Sequence, residues 1–241
     1  MVWKLAFTFG TLAVVSFAQA PNCMTPLGNP CYTLHGTRTS WQLFEHGLTD
    51  IREIKANYIS ASGRDGSHVD LEKGADSALF ERHTRTFKTM RMYVGPKKEI
   101  ITVDYHSGTL ARREPLIWHD VPYRRARAGD ATCESGIRHY GTDFQIRGAA
   151  LIAGLPTVKW HRDLANGSEE EYLAPSLDCI ALKTYMVVRN RAGIPIRINN
   201  TQVSRVEFGE PNPNVFKLPA SGLKEITDPN RARLLHFIEQ N

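Results

Sequence analysis

From Ile51 to Glu207 the chain reads as short segments rich in β-branched and aromatic residues, separated by turn chemistry. Ile51 to Ser60 carries Ile, Tyr and Ala, Gly63-Arg64-Asp65-Gly66 turns it, and His68-Val69-Asp70-Leu71 alternates on the return. Thr84 to Val94 and Glu99 to Tyr105 follow as strands, and His106-Ser107-Gly108 turns the second into Thr109-Leu110-Ala111-Arg112. Later strand-like runs are Thr142 to Arg147, Pro156 to His161 and Glu169 to Leu173. Cys179 to Val188 and Ile194 to Glu207 form the longest hairpin candidate, joined through Asn190-Arg191-Ala192-Gly193. Short connections without a βαβ rhythm predict one antiparallel sheet.

Helical periodicity is rare. Asp76 to Glu81 predicts a short helical turn. Asp228-Pro229 supplies an N-cap and a proline at the first helical position, and Leu234, Leu235 and Ile238 follow at helical spacing. This predicts a C-terminal amphipathic helix over residues 227–241. The fold class is therefore mainly β (α+β), with few helices including the C-terminal one.

The first twenty residues differ from the rest. Lys4 precedes an apolar run from Leu5 to Phe17, and Ala18-Gln19-Ala20 places small residues where signal peptidase needs them. The run is short for a membrane span, so residues 1–20 read as a cleaved secretory signal. Residues 21–36 then form a disulfide-bearing N-terminal segment, and residues 37–226 the antiparallel β domain. A length of 241 residues suffices for a sizeable core, and 41% hydrophobic with 23% charged residues excludes wholesale disorder. The net charge of +5, one less without Lys4, is too small for a dedicated nucleic-acid binder.

All four cysteines, Cys23, Cys31, Cys133 and Cys179, follow the signal, and an even count in an exported chain reads as a disulfide framework. Three pairings are open by count alone. The turn-rich stretch Met24-Thr25-Pro26-Leu27-Gly28-Asn29-Pro30 favours Cys23 with Cys31, which leaves Cys133 for Cys179. No Cys-x-x-Cys or fixed Cys/His spacing points to a metal site.

Gly154-Leu155-Pro156-Thr157, Glu171-Tyr172-Leu173-Ala174-Pro175-Ser176-Leu177 and Gly193-Ile194-Pro195-Ile196 precede a closing stretch from Val206 to Pro219 that contains Glu210-Pro211, Phe216 and Pro219. This text resembles a group of secreted bacterial proteins of uncharacterised activity, distantly similar to the periplasmic lipoprotein carriers (LolA-like). The resemblance implies a strongly curved antiparallel sheet forming an open half-barrel. It matches no ligand-contacting residue of the carriers one by one, so it implies no site. The closing stretch also has a structural explanation, since Gly209, Pro211 and Pro213 end a strand and Phe216 returns to the core.

The chain contains no nucleophile elbow, zinc-protease helix, phosphate loop or dinucleotide fingerprint. Asp104 and His106 would share one strand face, and His119-Asp120 is a second carboxylate–imidazole pair. No catalytic, metal or cofactor residue is assigned, and no cofactor is expected. Arg outnumbers Lys by 20 to 10, and Arg112, Arg113, Arg124, Arg125 and Arg127 cluster around Trp118 and Tyr123. These arginines are candidates for the rim of a site for an anionic head group. Strand-borne Met90, Met92, Ile101, Val103, Val158, Trp160, Tyr185 and Val187 are candidates for an apolar trough. The reading is an exported periplasmic or extracellular binding protein, more a binder than an enzyme, holding an apolar or amphiphilic, lipid-like ligand or an envelope protein segment. The alternatives are a secreted hydrolase around Asp104, His106 and His119, or a structural accessory protein without a small ligand.

Overall fold

In the computed structural model, described over residues 22–46, 48–78, 82–114, 130–134 and 144–227, two meanders meet at the strand nearest the N-terminus. The first contains β1 (Tyr32–His46), β2 (Leu48–Ser62), β3 (His68–Ala78), β4 (His83–Val94), β5 (Glu99–Asp104) and β6 (Thr109–Arg113). The second contains β7 (Gln145–Ile152), β8 (Leu155–Leu164), β9 (Gly167–Ala174), β10 (Ile180–Arg189) and β11 (Pro195–Phe208). A last strand, β12 (Lys224–Ile226), pairs parallel to β6. The twelve strands form one curved sheet in the order β12-β6-β5-β4-β3-β2-β1-β11-β10-β9-β8-β7, and among the described residues no ladder joins its two ends.

Strand β1 holds the meanders together, antiparallel to β2 on one side and to β11 on the other. Sequence reading did not recognise it as a strand, because Thr, Arg, Gly and Ser interrupt its alternation. Its register against β11 shifts between His35 and Gly36, where Ser204 is the extra residue and its hydroxyl donates to the His35 carbonyl at 3.1 Å.

The helix expectations fail. Asp76 to Ala78 belong to β3, paired with β2 and β4, because two neighbouring strands satisfy their backbone where an isolated turn of helix would not. The C-terminal helix is not borne out: the described chain approaches its end as strand β12, and residues 228–241 lie outside the described residues. Described helical elements are the short 3-10 turns Gly95–Lys97, Pro175–Leu177 and Pro213–Phe216.

Directly paired residues on neighbouring strands share a face, so the registers sort the sheet into two sides. One side carries a core of Ala61, Val69, Met90, Met92, Ile101, Val103 and Leu110 on β2–β6. After β11 the chain crosses this side on its way to β12, and Val215, Phe216, Leu218 and Leu223 cover the core. Met90, Met92, Ile101 and Val103 are thereby buried at 5% exposure or less and form no open trough. Their period-two apolar pattern marks the covered face of a strand just as well as an open one.

Two smaller cores lie on the opposite side. Tyr32, Leu34, Val203 and Leu182 pack under Leu177 of the second 3-10 turn. Trp160, Leu173 and the Cys133–Cys179 disulfide form the other, where the Trp160 indole N–H donates to the Thr132 carbonyl at 2.9 Å. Trp160 is therefore a buried anchor for the segment around Cys133, and Val158 packs beside it.

Candidate functional site

Between these smaller cores and β5, the second side holds a trough of about 360 Å³ lined by Arg38, Tyr58, Asp70, Leu71, Glu72, Thr89, Arg91 and Thr201. The registers explain the grouping: Arg38 lies opposite Thr201, Tyr58 opposite Glu72, Glu72 opposite Thr89, and Asp70 opposite Arg91. Five adjacent strands thus each project polar side chains into one space.

Small residues make the room. Arg38 pairs with Ala56, Ala56 pairs with Gly74, and Gly36 lies opposite Tyr58. A Cβ on Gly36 would meet the Tyr58 ring at 2.5 Å and the Gln202 carbonyl at 2.6 Å, so glycine is what lets the ring lie across β1. A Cβ on Gly74 would lie 2.2 Å from the Lys55 carbonyl, so β2 and β3 also approach closely there.

Charge in the trough is finely divided. Arg38 Nη1 lies 3.5 Å from Glu72 Oε2, while Glu72 Oε1 is buried without a hydrogen-bond partner among the described residues. Burial, together with the nearby Asp70 charge, pushes the Glu72 carboxyl above its ordinary range despite the opposing pull of Arg38. Asp70 goes the other way. Lost hydration works against its charge, but Asp70 keeps 54% of its side-chain surface, and His68, Ser60 and Arg91 together hold it at about 2. Tyr58 is raised to about 12 by burial and by Asp70. Two carboxylates two residues apart on β3 are therefore held in opposite directions, the lower by His68, Ser60 and Arg91 and the upper by burial.

The described residues that the sequence singled out for an anionic or catalytic site lie elsewhere. Asp104 accepts the His106 N–H at 2.8 Å and the Ser107 hydroxyl at 2.8 Å, which makes it the cap of the β5–β6 turn. Hydration loss opposes its charge, and these hydrogen bonds outweigh that and lower its pKa. His106 is exposed on that turn. Arg112 joins Glu99 at 3.0 Å and Glu225 at 3.5 Å, tying β12 to the sheet edge. Arg113 donates to the Glu114 carbonyl at 3.2 Å. His119, Asp120, Arg124, Arg125, Arg127, Trp118 and Tyr123 lie outside the described residues.

Cys23 is bonded to Cys31 and Cys133 to Cys179, and both disulfides fit an exported protein. Glu210 lies beside Cys23 and Cys31, but the disulfide leaves no thiolate for a metal, and Glu210 accepts the Arg64 backbone N–H at 3.1 Å. No described helix is long and apolar enough to cross a membrane.

No protein-family model and no curated protein matches the chain. Among solved structures, an uncharacterised conserved protein from Thermus thermophilus aligns over 80% of this chain and 91% of its own, at 10% identity and a TM-score of 0.39. The Pseudomonas aeruginosa MucA/MucB complex aligns over 77% of this chain and 56% of that one, at 13% identity and a TM-score of 0.37. A putative outer membrane lipoprotein-sorting protein domain from Vibrio parahaemolyticus aligns over 85% and 91%, at 8% identity and a TM-score of 0.21. These likenesses are too distant to place the chain with any of them.

The trough residues Arg38, Tyr58, Glu72 and Thr201 were not visible as a site in the sequence. Their one local signal is polar side chains alternating with small ones on what prove to be neighbouring strands, as in Gly36-x-Arg38 and Glu72-x-Gly74.

Proposed function

We propose that this is an exported cell-envelope binding protein, periplasmic once its N-terminal signal is removed, whose polar trough receives the ionic head group of an amphiphilic ligand. One observation carries the reading: a cavity of about 360 Å³ that gathers Arg38, Arg91, Asp70 and Glu72 and contains a buried carboxylate oxygen without a partner among the described residues. A buried acceptor costs free energy until a donor reaches it, so a ligand amine or hydroxyl that donates there gains affinity. The arginines complement a phosphate or carboxylate. The volume lies near the lower end for ligand pockets and suits a head group better than a whole acyl chain.

The hydrolase alternative loses its strand-borne acid, since Asp104 spends both oxygens on its own turn. The test is a titration of the exported protein with fluorescent lysophosphatidylethanolamine, which carries both an amine and a phosphate. Saturable micromolar binding that Arg38→Gln weakens at least fivefold is expected. No binding, or equal binding by the variant, refutes the reading.

The outer edge of β7 favours a second reading, a partner segment adding as a further strand. Among the described strands β7 pairs only with β8, and its Leu151 is 73% exposed and Ile146 48%. Arg147 is its only charged residue. Replacing the exposed Leu151 by lysine, which charges the edge, should weaken binding of an added strand and leave head-group binding intact.

A further inference from the structure

The loop from Cys23 to Cys31 exposes two large apolar side chains from a tightly built frame. Met24 is 46% exposed and Leu27 47%, whereas Cys23, Thr25 and Cys31 are buried. The Thr25 N–H donates to the Asn29 carbonyl at 2.8 Å, Gly28 N–H to the Thr25 carbonyl at 2.9 Å, and Cys31 N–H to the Cys23 carbonyl at 3.0 Å. The Gly209 N–H, at the end of β11, fastens the loop to the sheet through the Cys31 carbonyl at 3.1 Å. A disulfide-closed loop held this firmly does not fold its apolar side chains away from water.

The surroundings supply cations. Pro26 packs on Gly66 in the β2–β3 turn, and Gly95 of the β4–β5 turn packs on the backbone of residues 65–67 and donates to the Ser67 hydroxyl at 3.0 Å. The two turns present Arg64, Lys97 and Lys98, all exposed, and Lys98 is held in the left-handed region at φ 49°. The acids beside them are engaged. Asp65 accepts the Ser67 N–H and hydroxyl, and Glu210 accepts the Arg64 N–H and lies 3.8 Å from the Arg64 Nε, so the Arg64 charge is met within the molecule. The apolar run Leu5–Phe17 ends six residues before Cys23, at most about 20 Å of chain, so any membrane-bound precursor is tethered at this same end of the sheet.

We propose that this end of the molecule docks on an anionic lipid surface, with Met24 and Leu27 entering the interface and Lys97 and Lys98 meeting the head groups. It is independent of the trough, which lies on a sheet face rather than at this end.

Co-sedimentation with vesicles tests it, using protein recovered from an exporting host with both disulfides formed. Equimolar phosphatidylglycerol and phosphatidylcholine vesicles should bind the protein, and Met24→Ser/Leu27→Ser should bind at least fivefold more weakly with an unchanged melting temperature. Lys97→Gln/Lys98→Gln should weaken binding to these vesicles and leave any binding to pure phosphatidylcholine unaltered. Met24→Ser/Leu27→Ser should keep the parent's affinity for monomeric lysophosphatidylethanolamine, which separates this surface from the trough. Failure of the parent to sediment overturns the proposal and leaves the loop as a contact for a protein groove. Equal sedimentation of parent and Met24→Ser/Leu27→Ser overturns it as well.

Discussion

Arg38 on β1 reaches past β2 to Glu72 on β3, Nη1 to Oε2 at 3.5 Å, across a floor built from Ala56 and Gly74. A side chain larger than Ala56 between them would block the pairing, so the site depends on residues without chemistry of their own. The ion pair is weak by distance, and the other Glu72 oxygen is left without a partner among the described residues. The trough is thereby arranged for an additional donor.

Glu72→Gln should stabilise the protein at neutral pH. A carboxyl whose folded pKa lies above its unfolded value of 4.5 contributes fully below that value and loses its contribution as pH rises through the folded pKa. At pH 7 the parent carries this loss and the glutamine variant does not. We expect a gain at pH 7 that shrinks to nothing near pH 4, by urea unfolding at the two pH values. A variant less stable than the parent at pH 7 contradicts the buried-carboxyl account.

Gly36→Ala should be costly although the change is one methyl group. The new Cβ would meet the Tyr58 ring at 2.5 Å and the Gln202 carbonyl at 2.6 Å, and the carbonyl belongs to a paired strand that cannot withdraw. A destabilisation of about 1–3 kcal/mol is expected from overpacking. Thermal unfolding checks the stability, and Tyr58 fluorescence or proton exchange reports whether the ring moves.

Much of the sheet was legible because period-two patterning and turn chemistry are local. The β4 limits His83–Val94 lie within one residue of the expected Thr84 to Val94, and β5 and β6 are joined by the expected turn at His106-Ser107-Gly108. What failed was non-local. β1 is stabilised by two long neighbours rather than by its own composition, so its Thr-rich, Gly-interrupted text gave no strand signal. Asp76 to Ala78 likewise joined β3 through pairing rather than propensity. The site was illegible for the same reason. Arg38, Glu72, Thr89 and Thr201 meet only through strand order and register, whereas Asp104 and His106, close in sequence, proved to be a turn and its cap. Met90 and Met92 show the limit of pattern reading, since alternation reveals that a face is apolar but not what covers it.

The two disulfides should differ in weight. Cys133–Cys179 closes a separation of 46 residues and Cys23–Cys31 one of 8. Loop-closure entropy gives about 4 and about 2.6 kcal/mol. Cys179→Ala should therefore destabilise more than Cys31→Ala by roughly 1–2 kcal/mol in denaturant unfolding. The larger loop also holds Cys133 and Trp160 in one core, which acts in the same direction.

Arg112→Gln distinguishes an edge tie from a ligand rim. Its partners Glu99 and Glu225 are on β5 and β12, and Arg112 keeps 35% of its side-chain surface exposed, so the stability change should stay under about 1 kcal/mol. Backbone hydrogen exchange in Lys224–Ile226 should speed up while head-group binding stays at the parent value. Weakened binding would instead return Arg112 to the rim of a ligand site.

The central claim is where the ligand sits, and cross-linking reads that directly. A lysophosphatidylethanolamine bearing a photoreactive group beside its head group should label the exported protein, and the labelled peptides should come from β2–β4, within Leu48–Ser62, His68–Ala78 and His83–Val94. Arg38→Gln and Glu72→Gln should each cut that labelling at least fivefold. Labelling that survives both substitutions, or that falls on the face covered by Val215 and Phe216, contradicts the trough as the binding site.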